Sequence, residues 1–321
     1  MLIPVLLFLI GLVLLIKGGD WFVDGATGIA HRFHIPEILI GATVVSIGTT
    51  LPEVMVSATS ALGGHGEIAY GNAIGSIICN TSLIAALTIA IRPAKIDHKP
   101  LIMPVIFFFV SAVFYSVVAY TTGYFSRTIG LLLVLIFVVY MLISVFNAKK
   151  SLAAGTTDKE EKSENSLVKD LVLLIVGAIL IAIGARLLVD NGTIIAENLG
   201  VPESVIALTF VALGTSLPEL VTAITSLIKG HGALSLGNII GANLFNLVLV
   251  SGVSVVLSPF AIPSSLQVNG INASLLVDIP VMFLVMLILT LPAILRKKLS
   301  RAQGIILLLI YAAFCVFQFT V

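Results

Sequence analysis

Two glutamates lie in the middle of long apolar stretches, where a charged side chain is unexpected. Glu53 ends the sequence GTTLPE and Glu219 ends the closely similar GTSLPE. An ionised carboxylate inside a lipid-embedded segment is costly unless it faces a cation or water. Two such groups brought together would carry a charge of −2, enough to balance one divalent or two monovalent cations. The pair therefore predicts a cation-binding site.

The residues just before each glutamate could add oxygen atoms to this site. Thr49 and Thr215 lie four residues before Glu53 and Glu219, so each pair shares one face of a helix. The proline before each glutamate lacks an N–H, and its ring displaces the carbonyl four residues earlier, so we expect free carbonyls there. Carboxylate, hydroxyl and carbonyl oxygens suit hard cations such as Na⁺ and Ca²⁺, whereas Zn²⁺ and Cu⁺ prefer His or Cys.

Amide side chains follow in the next apolar stretch of each half of the chain. Ser76 and Asn80 are four residues apart and share a helix face, and Asn246 occupies the position in the second half that corresponds to Asn80. We interpret Asn80 and Asn246 as ion ligands, with hydrogen bonding between helices as the alternative. Asn72 and Asn238 are interpreted as packing and capping residues.

The composition indicates that lipid surrounds most of the chain. Of its 321 residues, 59% are hydrophobic and 10% are charged, whereas roughly 25% of a soluble domain is charged. A helix needs about 20 apolar residues to cross a bilayer. Ten runs of this kind fall near 2–19, 37–62, 68–91, 101–121, 128–147, 168–188, 203–228, 233–257, 272–295 and 302–320. The chain is predicted to be an all-α integral membrane protein.

The two halves of the chain repeat one another with a shift of 166 residues. Residues 43–80 and 209–246 are identical at 17 of 38 positions. Because five helices is an odd number, the second copy enters the membrane from the opposite side. We therefore predict ten transmembrane helices in two inverted-topology five-helix repeats, 1–147 and 168–321, joined by a cytoplasmic linker, 148–167. Folds of this kind bind substrate near the bilayer midplane at the interface of the repeats.

The basic residues predict the orientation. With the N-terminus outside, 15 Lys and Arg residues fall on the inner side and 2 on the outer side. Since basic loops stay in the cytoplasm, we expect a multi-pass plasma (inner) membrane protein with both termini outside and the central linker cytoplasmic. The net charge of +1 gives no electrostatic footprint for nucleic acid.

At the paired GT[ST]LPE motifs and the GN-x-IG[SA] motifs that follow them, the chain resembles the cation/calcium exchanger superfamily, in particular prokaryotic sodium/calcium exchangers. The resemblance implies exchange of Na⁺ for Ca²⁺ by alternating access, without a cofactor, in a protein expected to act as a monomer. It implies that Glu53 and Glu219 are shared by both ions. It also implies further oxygen ligands from Thr49, Thr50, Thr215, Ser216, Ser76, Asn80 and Asn246, and from the backbone carbonyls of Ser46 and Ala212.

Three positions depart from the family pattern. Ala242 stands where members often have Ser, and the missing hydroxyl leaves the number of Na⁺ ions open. Asn246 stands where many have Asp, which argues against a potassium-dependent exchanger. Ile77 replaces an Asn that is usual in the first repeat.

Two other transport functions remain open. A buried glutamate could carry a proton, which would make the chain a proton-coupled Ca²⁺ antiporter of the same superfamily. A cation channel is the alternative from a different class, although an inverted repeat with interrupted helices argues against it. An enzyme is not expected, because the apolar stretches contain no nucleophile–base pair and no metal motif with histidine.

Overall fold

The computed structural model describes residues 2–93, 95–154, 166–199, 214–264, 267–268 and 270–320. Nearly all of this part of the chain is helical. We number the helices α1 Leu2–Arg32, α2 Glu37–Leu62, α3 Gly66–Ile91, α4 Lys99–Thr121, α5 Arg127–Ala154, α6 Leu167–Asn198, α7 Leu217–Lys229, α8 Gly232–Leu257, α9 Ser274–Leu295 and α10 Arg301–Thr320.

Within these ranges, nine helices are long and apolar enough to cross a membrane. The other one, α7, covers only the end of the predicted span 203–228, because residues 201–213 lie outside the described residues. The loops hold short antiparallel strand pairs, β1 (Tyr124–Phe125) with β2 (Phe260–Ala261) and β3 (Gln267–Val268) with β4 (Ile271–Asn272). The prediction of an all-helical membrane protein is confirmed.

The helix that ends the first half is longer than the sequence suggested. We placed the start of the linker at residue 148, but α5 continues to Ala154. The reason is local, since residues 148–154 read AKKSLAA and consist mostly of good helix formers. A polar composition was therefore a poor guide to where this helix ends. Residues 155–165 of the predicted linker lie outside the described residues.

Helices α1 and α6 pack closely along their lengths through glycines. A Cβ added at Gly11 would lie 2.9 Å from the Gly184 carbonyl oxygen, and one added at Gly18 would lie 2.9 Å from that of Gly177. The two helices run antiparallel, because the earlier glycine of α1 meets the later glycine of α6. The 166-residue shift relates Gly11 to Gly177 and Gly18 to Gly184. It therefore converts the Gly11–Gly184 contact into the Gly18–Gly177 contact. Such a self-complementary contact is typical of a two-fold axis and agrees with inverted repeats.

A buried aromatic cluster supports the middle of the molecule between α3, α4, α5 and α8. Tyr140 of α5 packs edge-on against Phe107 of α4 and Phe245 of α8. Its hydroxyl donates a hydrogen bond to the Ala42 carbonyl oxygen at 2.7 Å. This bond satisfies a polar tip in an otherwise apolar core and fixes α5 against the start of α2.

Four of the described helices contain a π-helical segment, in which each turn holds an extra residue. These segments are Gly41–Val45 in α2, Asn80–Ala85 in α3, Asn246–Val250 in α8 and Ser274–Asp278 in α9. The segments in α3 and α8 begin at the two asparagines predicted as ion ligands, which the 166-residue shift relates. Such interruptions are frequent at functional sites.

The two prolines of the repeated motif occupy different positions in their helices. We expected each to displace the carbonyl four residues earlier, and Pro52 lies within a continuous α-helical stretch, Ser46–Leu62. The irregular part of α2 is instead the π-helical segment that ends at Val45. Pro218 lies in the first turn of α7, where the missing N–H leaves no internal bond unmade. A proline removes one hydrogen bond, and the bonds on either side suffice to continue α2.

Candidate cation-binding site

The two glutamates of the repeated motif meet in the interior of the molecule. Glu53 and Glu219 are both fully buried, and their carboxylates are close enough to interact electrostatically. Neither forms a salt bridge or a hydrogen bond of normal geometry through its side-chain oxygens with the part of the chain that the structure describes. A buried, unpaired carboxylate pair is costly, so the arrangement favours binding of positive charge.

The two glutamates occupy different positions along their helices. Glu53 lies mid-way along α2, whereas Glu219 lies in the first turn of α7. There the partial positive charge of the helix N-terminus stabilises a carboxylate. The hydroxyls of Thr49 and Thr50, which come from the first repeat, approach the Glu219 carboxylate of the second. Each half of the chain thus contributes groups around the other half's acid.

Two hydrogen bonds cross between the repeats beside the glutamates. The Thr49 hydroxyl donates to the amide oxygen of Asn238 at 3.2 Å, and the Thr215 hydroxyl donates to the amide oxygen of Asn72 at 3.2 Å. The 166-residue shift converts one bond into the other. Asn72 also donates to the Glu53 backbone carbonyl at 3.2 Å, so it holds the backbone of the acid itself.

These contacts revise the interpretation of Asn72 and Asn238 as packing and capping residues. Both lie inside their helices rather than at the ends, and both join the two repeats. The sequence contained a signal for this arrangement, since each asparagine lies eight residues before Asn80 or Asn246, near the same helix face. Composition and spacing alone could not show which partner each amide would contact.

The other predicted ligands with described positions are buried polar side chains. Asn80 and Asn246 are fully buried, and neither atom of either amide has a hydrogen-bond partner among the described residues. The hydroxyls of Thr50 and Ser216 are likewise buried and form no hydrogen bond of normal geometry with those residues. Ser76 is buried on α3 four residues before Asn80. Unsatisfied buried polar atoms are rare in folded proteins, so these side chains are candidates for contact with a bound ion.

Ser46 and Ala212 were predicted to contribute backbone carbonyls, and the structure describes only Ser46. The Ser46 hydroxyl donates to the carbonyl oxygens of Gly41 at 2.7 Å and Asn238 at 2.9 Å, so it joins α2 to α8. A Cβ added at Gly241 would overlap the Ser46 hydroxyl, so glycine permits this close approach. Ala212 lies outside the described residues.

The chemistry of the site follows from its atoms. The two carboxylates, the threonine hydroxyls near Glu219 and the asparagine amides bonded to Thr49 and Thr215 are oxygen donors, which is the ligand type that hard cations prefer. Within the described ranges, no group of three or more His, Cys, Asp and Glu side chains is placed to hold a metal ion. The arrangement therefore favours a hard cation held by two acids and neutral oxygens over a transition metal held by nitrogen and sulfur.

Polar contacts that the sequence analysis did not predict fasten the helix ends around the site. Glu37 accepts a short contact of 2.7 Å from Nδ1 of His231 and lies 3.4 Å from Nε2 of His31. At the C-terminal end of α1, Arg32 lies 3.5 Å from the buried carboxylate of Asp170 on α6. The Glu37–His231 and Arg32–Asp170 contacts link the two repeats, and their separations of more than 100 residues hid them from pattern analysis.

Comparison with known proteins identifies the family. The model of the sodium/calcium exchanger protein family matches residues 3–146 and 169–320, which is nearly the whole chain. The chain belongs to the sodium/calcium exchanger family. The two matched segments coincide with the halves that carry the repeated motif, and the resemblance seen in the sequence is confirmed.

Relatives and a solved structure cover most of the exchanger. The sodium/calcium exchanger MaX1 of Methanosarcina acetivorans is 30% identical over 350 residues, with 98% of each chain covered. The inner membrane protein YrbG of Escherichia coli is 35% identical over 285 residues, with 87% of each chain covered. A solved structure of the sodium–calcium exchanger NCX_Mj superposes with a TM-score of 0.82 at 34% identity and covers 98% of both chains. The exchanger is thus a multi-pass membrane transport protein with the two-repeat fold.

Proposed function

We propose that the exchanger is a secondary active antiporter that exchanges Na⁺ for Ca²⁺ across the membrane by alternating access. The observation that carries the proposal is the buried carboxylate pair of Glu53 and Glu219, which has no compensating cation from the described residues. Two carboxylates balance one Ca²⁺ or two Na⁺, so either ion can displace the other. The names of the relatives, which include a sodium/calcium exchanger over the full length, support the same ion pair.

The coupling follows from the cost of an empty site. Two bare carboxylates in a region of low dielectric repel one another strongly. A conformational change with the site empty is therefore unfavourable, and each ion can cross only in exchange for the other. Inverted repeats supply the two conformations, because two similar halves can exchange which side is open around one fixed site.

In this proposal both ions are held by oxygen atoms alone. Glu53 and Glu219 carry the charge, and the neutral oxygens complete the coordination. These neutral ligands are Thr49, Thr50, Thr215, Ser216, Ser76, Asn80 and Asn246, with backbone carbonyls of Ser46 and Ala212. The Thr49 and Thr215 hydroxyls already donate to asparagines, so they offer an ion their remaining lone pairs.

The distribution of basic residues supports a proposed orientation. Of the 17 Lys and Arg residues, 15 fall on one side of the predicted spans, and this side is expected to face the cytoplasm. Both termini then lie outside and residues 148–167 lie inside a plasma membrane. The protein needs no cofactor in this scheme. It can act as a monomer, because all the proposed ligands of the ion site come from one chain.

Flux of ⁴⁵Ca²⁺ into proteoliposomes tests the proposal. Vesicles loaded with Na⁺ and diluted into Na⁺-free medium should take up Ca²⁺, and vesicles with equal Na⁺ on both sides should not. Uptake driven by a pH gradient without Na⁺ would replace Na⁺ coupling with proton coupling. Uptake that needs no second ion would instead indicate a channel. Glu67→Gln, a change at an exposed glutamate of α3, serves as the matched control for variants of the buried acids.

A further inference from the structure

Two loops at one end of the molecule are fastened to each other. The loop between α3 and α4 pairs with the loop between α9 and α10 through an antiparallel bridge of Lys95 and Lys298. The backbone N–H of Ile96 donates to the Lys297 carbonyl oxygen at 2.9 Å. Lys297 has a φ of +54°, a conformation that non-glycine residues seldom adopt. The fold thus holds these loops in one defined arrangement, which we call the basic loop pair.

The basic loop pair and the helix starts beside it concentrate positive charge. Seven exposed basic residues lie here: Arg92, Lys95, Lys99, Arg296, Lys297, Lys298 and Arg301. In the described part of the two loops the one acid is Asp97, which accepts a hydrogen bond from the Lys99 backbone N–H at 3.1 Å. Within the described residues, no carboxylate lies within salt-bridge distance of any of the seven.

A cavity of about 470 Å³ opens beside these charges, between α2, α3 and α8. Arg92 and Lys95 line it together with apolar side chains. The apolar lining includes Ile38, Ile89, Ile96, Leu236, Ile239 and Leu299. Two acids, Glu37 and Asp97, also line the cavity. The Glu37 carboxylate contacts His231 and His31, and the Asp97 carboxylate accepts from the Lys99 backbone N–H. Arg92 Nη1 donates to the Leu227 carbonyl oxygen at 3.1 Å, but neither Arg92 nor Lys95 has a salt bridge with a described carboxylate. The cavity therefore has cations at its rim and a hydrocarbon-like interior.

The opposite end of the molecule provides an internal comparison. There the loops after α4 and α8 pair in the same way, with Tyr124 opposite Ala261. Ala261 is the residue that the 166-residue shift relates to Lys95. At this end the space beside Gly66 is filled, since an added Cβ would overlap the Phe260 side chain. The equivalent glycine of the second repeat, Gly232, lines the cavity, and no described residue lies close enough to contact a Cβ added there. Loop pairing thus needs neither cations nor a cavity. The orientation of the chain accounts for basic residues on this side, but not for a cavity beside them.

We infer that the basic loop pair and the adjoining cavity bind an anionic phospholipid. The phosphate would contact Arg92 and Lys95, and part of an acyl chain would occupy the apolar interior. Basic pockets between transmembrane helices on the cytoplasmic side are suited to anionic headgroups. Charge complementarity selects the headgroup, and the apolar cavity selects a lipid over a free phosphate. The inference rests on the membrane fold and is independent of which ions are exchanged.

Lipid retention by the purified full-length chain tests this inference. The protein in detergent is mixed with phosphatidylglycerol or with phosphatidylcholine of the same acyl chains, and bound lipid is counted by native mass spectrometry. We expect one phosphatidylglycerol to be retained in preference to phosphatidylcholine. The double variant Lys95→Gln/Lys298→Gln should bind it roughly tenfold more weakly, whereas Arg127→Gln, at the opposite end, should bind it as the unchanged protein does. Equal retention of both lipids, or unchanged binding by the double variant, would overturn the inference.

A second variant separates the acyl chain from the headgroup. Gly232→Leu places a side chain in the cavity and leaves every cation in place, so we expect it to reduce phosphatidylglycerol retention. Inorganic phosphate at millimolar concentration should not displace the lipid. Displacement by phosphate, or full retention in Gly232→Leu, would contradict a lipid that enters the cavity. These experiments measure lipid binding, so a negative result would not bear on the proposed Na⁺/Ca²⁺ exchange. A negative result in the flux experiment would likewise not bear on lipid binding.

Discussion

The Thr49 hydroxyl donates a hydrogen bond to the Asn238 amide oxygen at 3.2 Å, and this bond joins the two repeats at the centre of the molecule. Its counterpart under the 166-residue shift, from Thr215 to Asn72, has the same length. Both bonds lie beside the buried glutamates. They show that the site is assembled from residues that are distant in the sequence and equivalent in the fold.

A double-mutant cycle on Thr49→Ala and Asn238→Ala should measure a coupling of about 0.6 kcal/mol, which is the average for hydrogen bonds between transmembrane helices. The cycle on Thr215→Ala and Asn72→Ala should give a similar value. Reversible unfolding in mixed micelles provides the free energies. Thr59→Ala, which removes a bond within α2 only, should show no coupling to Asn238→Ala. Zero coupling in both central pairs would show that the bonds do not hold the repeats together.

Glu53→Gln and Glu219→Gln should each abolish Ca²⁺ exchange and leave a folded protein. Each variant removes a carboxylate charge that faces the bound Ca²⁺. Loss of one partner from such a buried pair of opposite charges costs about 2–5 kcal/mol of binding, so Ca²⁺ affinity should fall by roughly 30-fold or more. Thermal unfolding provides the measurement, because Ca²⁺ at 100 times its Kd should stabilise the unchanged protein by about 2.7 kcal/mol. The two variants should lose this stabilisation, and Glu67→Gln should keep it. Normal Ca²⁺ flux in either variant would refute the site.

Arg32–Asp170 and Arg186–Asp190 form a matched pair of salt bridges with different burial. Both have an Nε–Oδ2 distance of 3.5 Å, but the Asp170 side chain is 0% exposed and the Asp190 side chain is 60% exposed. Asp170→Asn should destabilise the protein by about 3 kcal/mol, because it leaves Arg32 with a poorer partner at a buried site. Asp190→Asn should change stability by less than about 1 kcal/mol. Equal effects on the unfolding midpoint would contradict the structural difference.

The contact between His231 and Glu37 predicts a pH dependence of stability. The hydrogen bond to Glu37 raises the pKa of His231, a residue in the turn between α7 and α8, and Asp24 adds to the rise while burial and Lys229 oppose it. His31 also faces the same carboxylate. A raised folded-state pKa gives stability that is fully present below the unfolded pKa of about 6.5. This contribution is lost as pH rises through the folded-state pKa.

Unfolding midpoints measured between pH 5.5 and 8.5 check this prediction. His231→Gln should lower the midpoint more at pH 5.5 than at pH 8.5. His65→Gln, at the equivalent turn of the first repeat, serves as the matched control variant. A His231→Gln effect that is constant with pH would mean that the contact with Glu37 contributes no charge interaction.

Substituting Gly177 should force α1 and α6 apart. A Cβ at this position would lie 2.8 Å from the Gly18 carbonyl oxygen, which is backbone and cannot rotate away. Gly177→Ala should therefore destabilise the protein by about 1–3 kcal/mol, as overpacking generally does. Ile16→Leu, at an exposed position of α1, should have little effect. A Gly177→Ala variant as stable as the unchanged protein would show that the glycine contact is not close in solution.

Much of the fold, and the pairing of the two buried glutamates, could be predicted from the sequence because both depend on local signals. Apolar run length identifies the spans, and the repeat of GT-x-LPE identifies Glu53 and Glu219 as equivalent. The path of α2 could not be predicted, because a proline's effect depends on the hydrogen bonds around it, and Pro52 sits in unbroken helix. The partners of Asn72 and Asn238 were also beyond reach, since a helix face shows direction but not the neighbour it meets.

The two π-helical segments at Asn80 and Asn246 also bear on the history of the chain. Each adds one residue to a helical turn, and each begins at the same position of its repeat. Independent insertions at matching positions would be a coincidence, so the simplest history places the extra residue in a single ancestral half before the gene was duplicated. That ancestor already carried an asparagine at the start of a widened turn. This ancestral half would have had to pair with a second copy of itself, inserted into the membrane with the opposite topology, to complete the site.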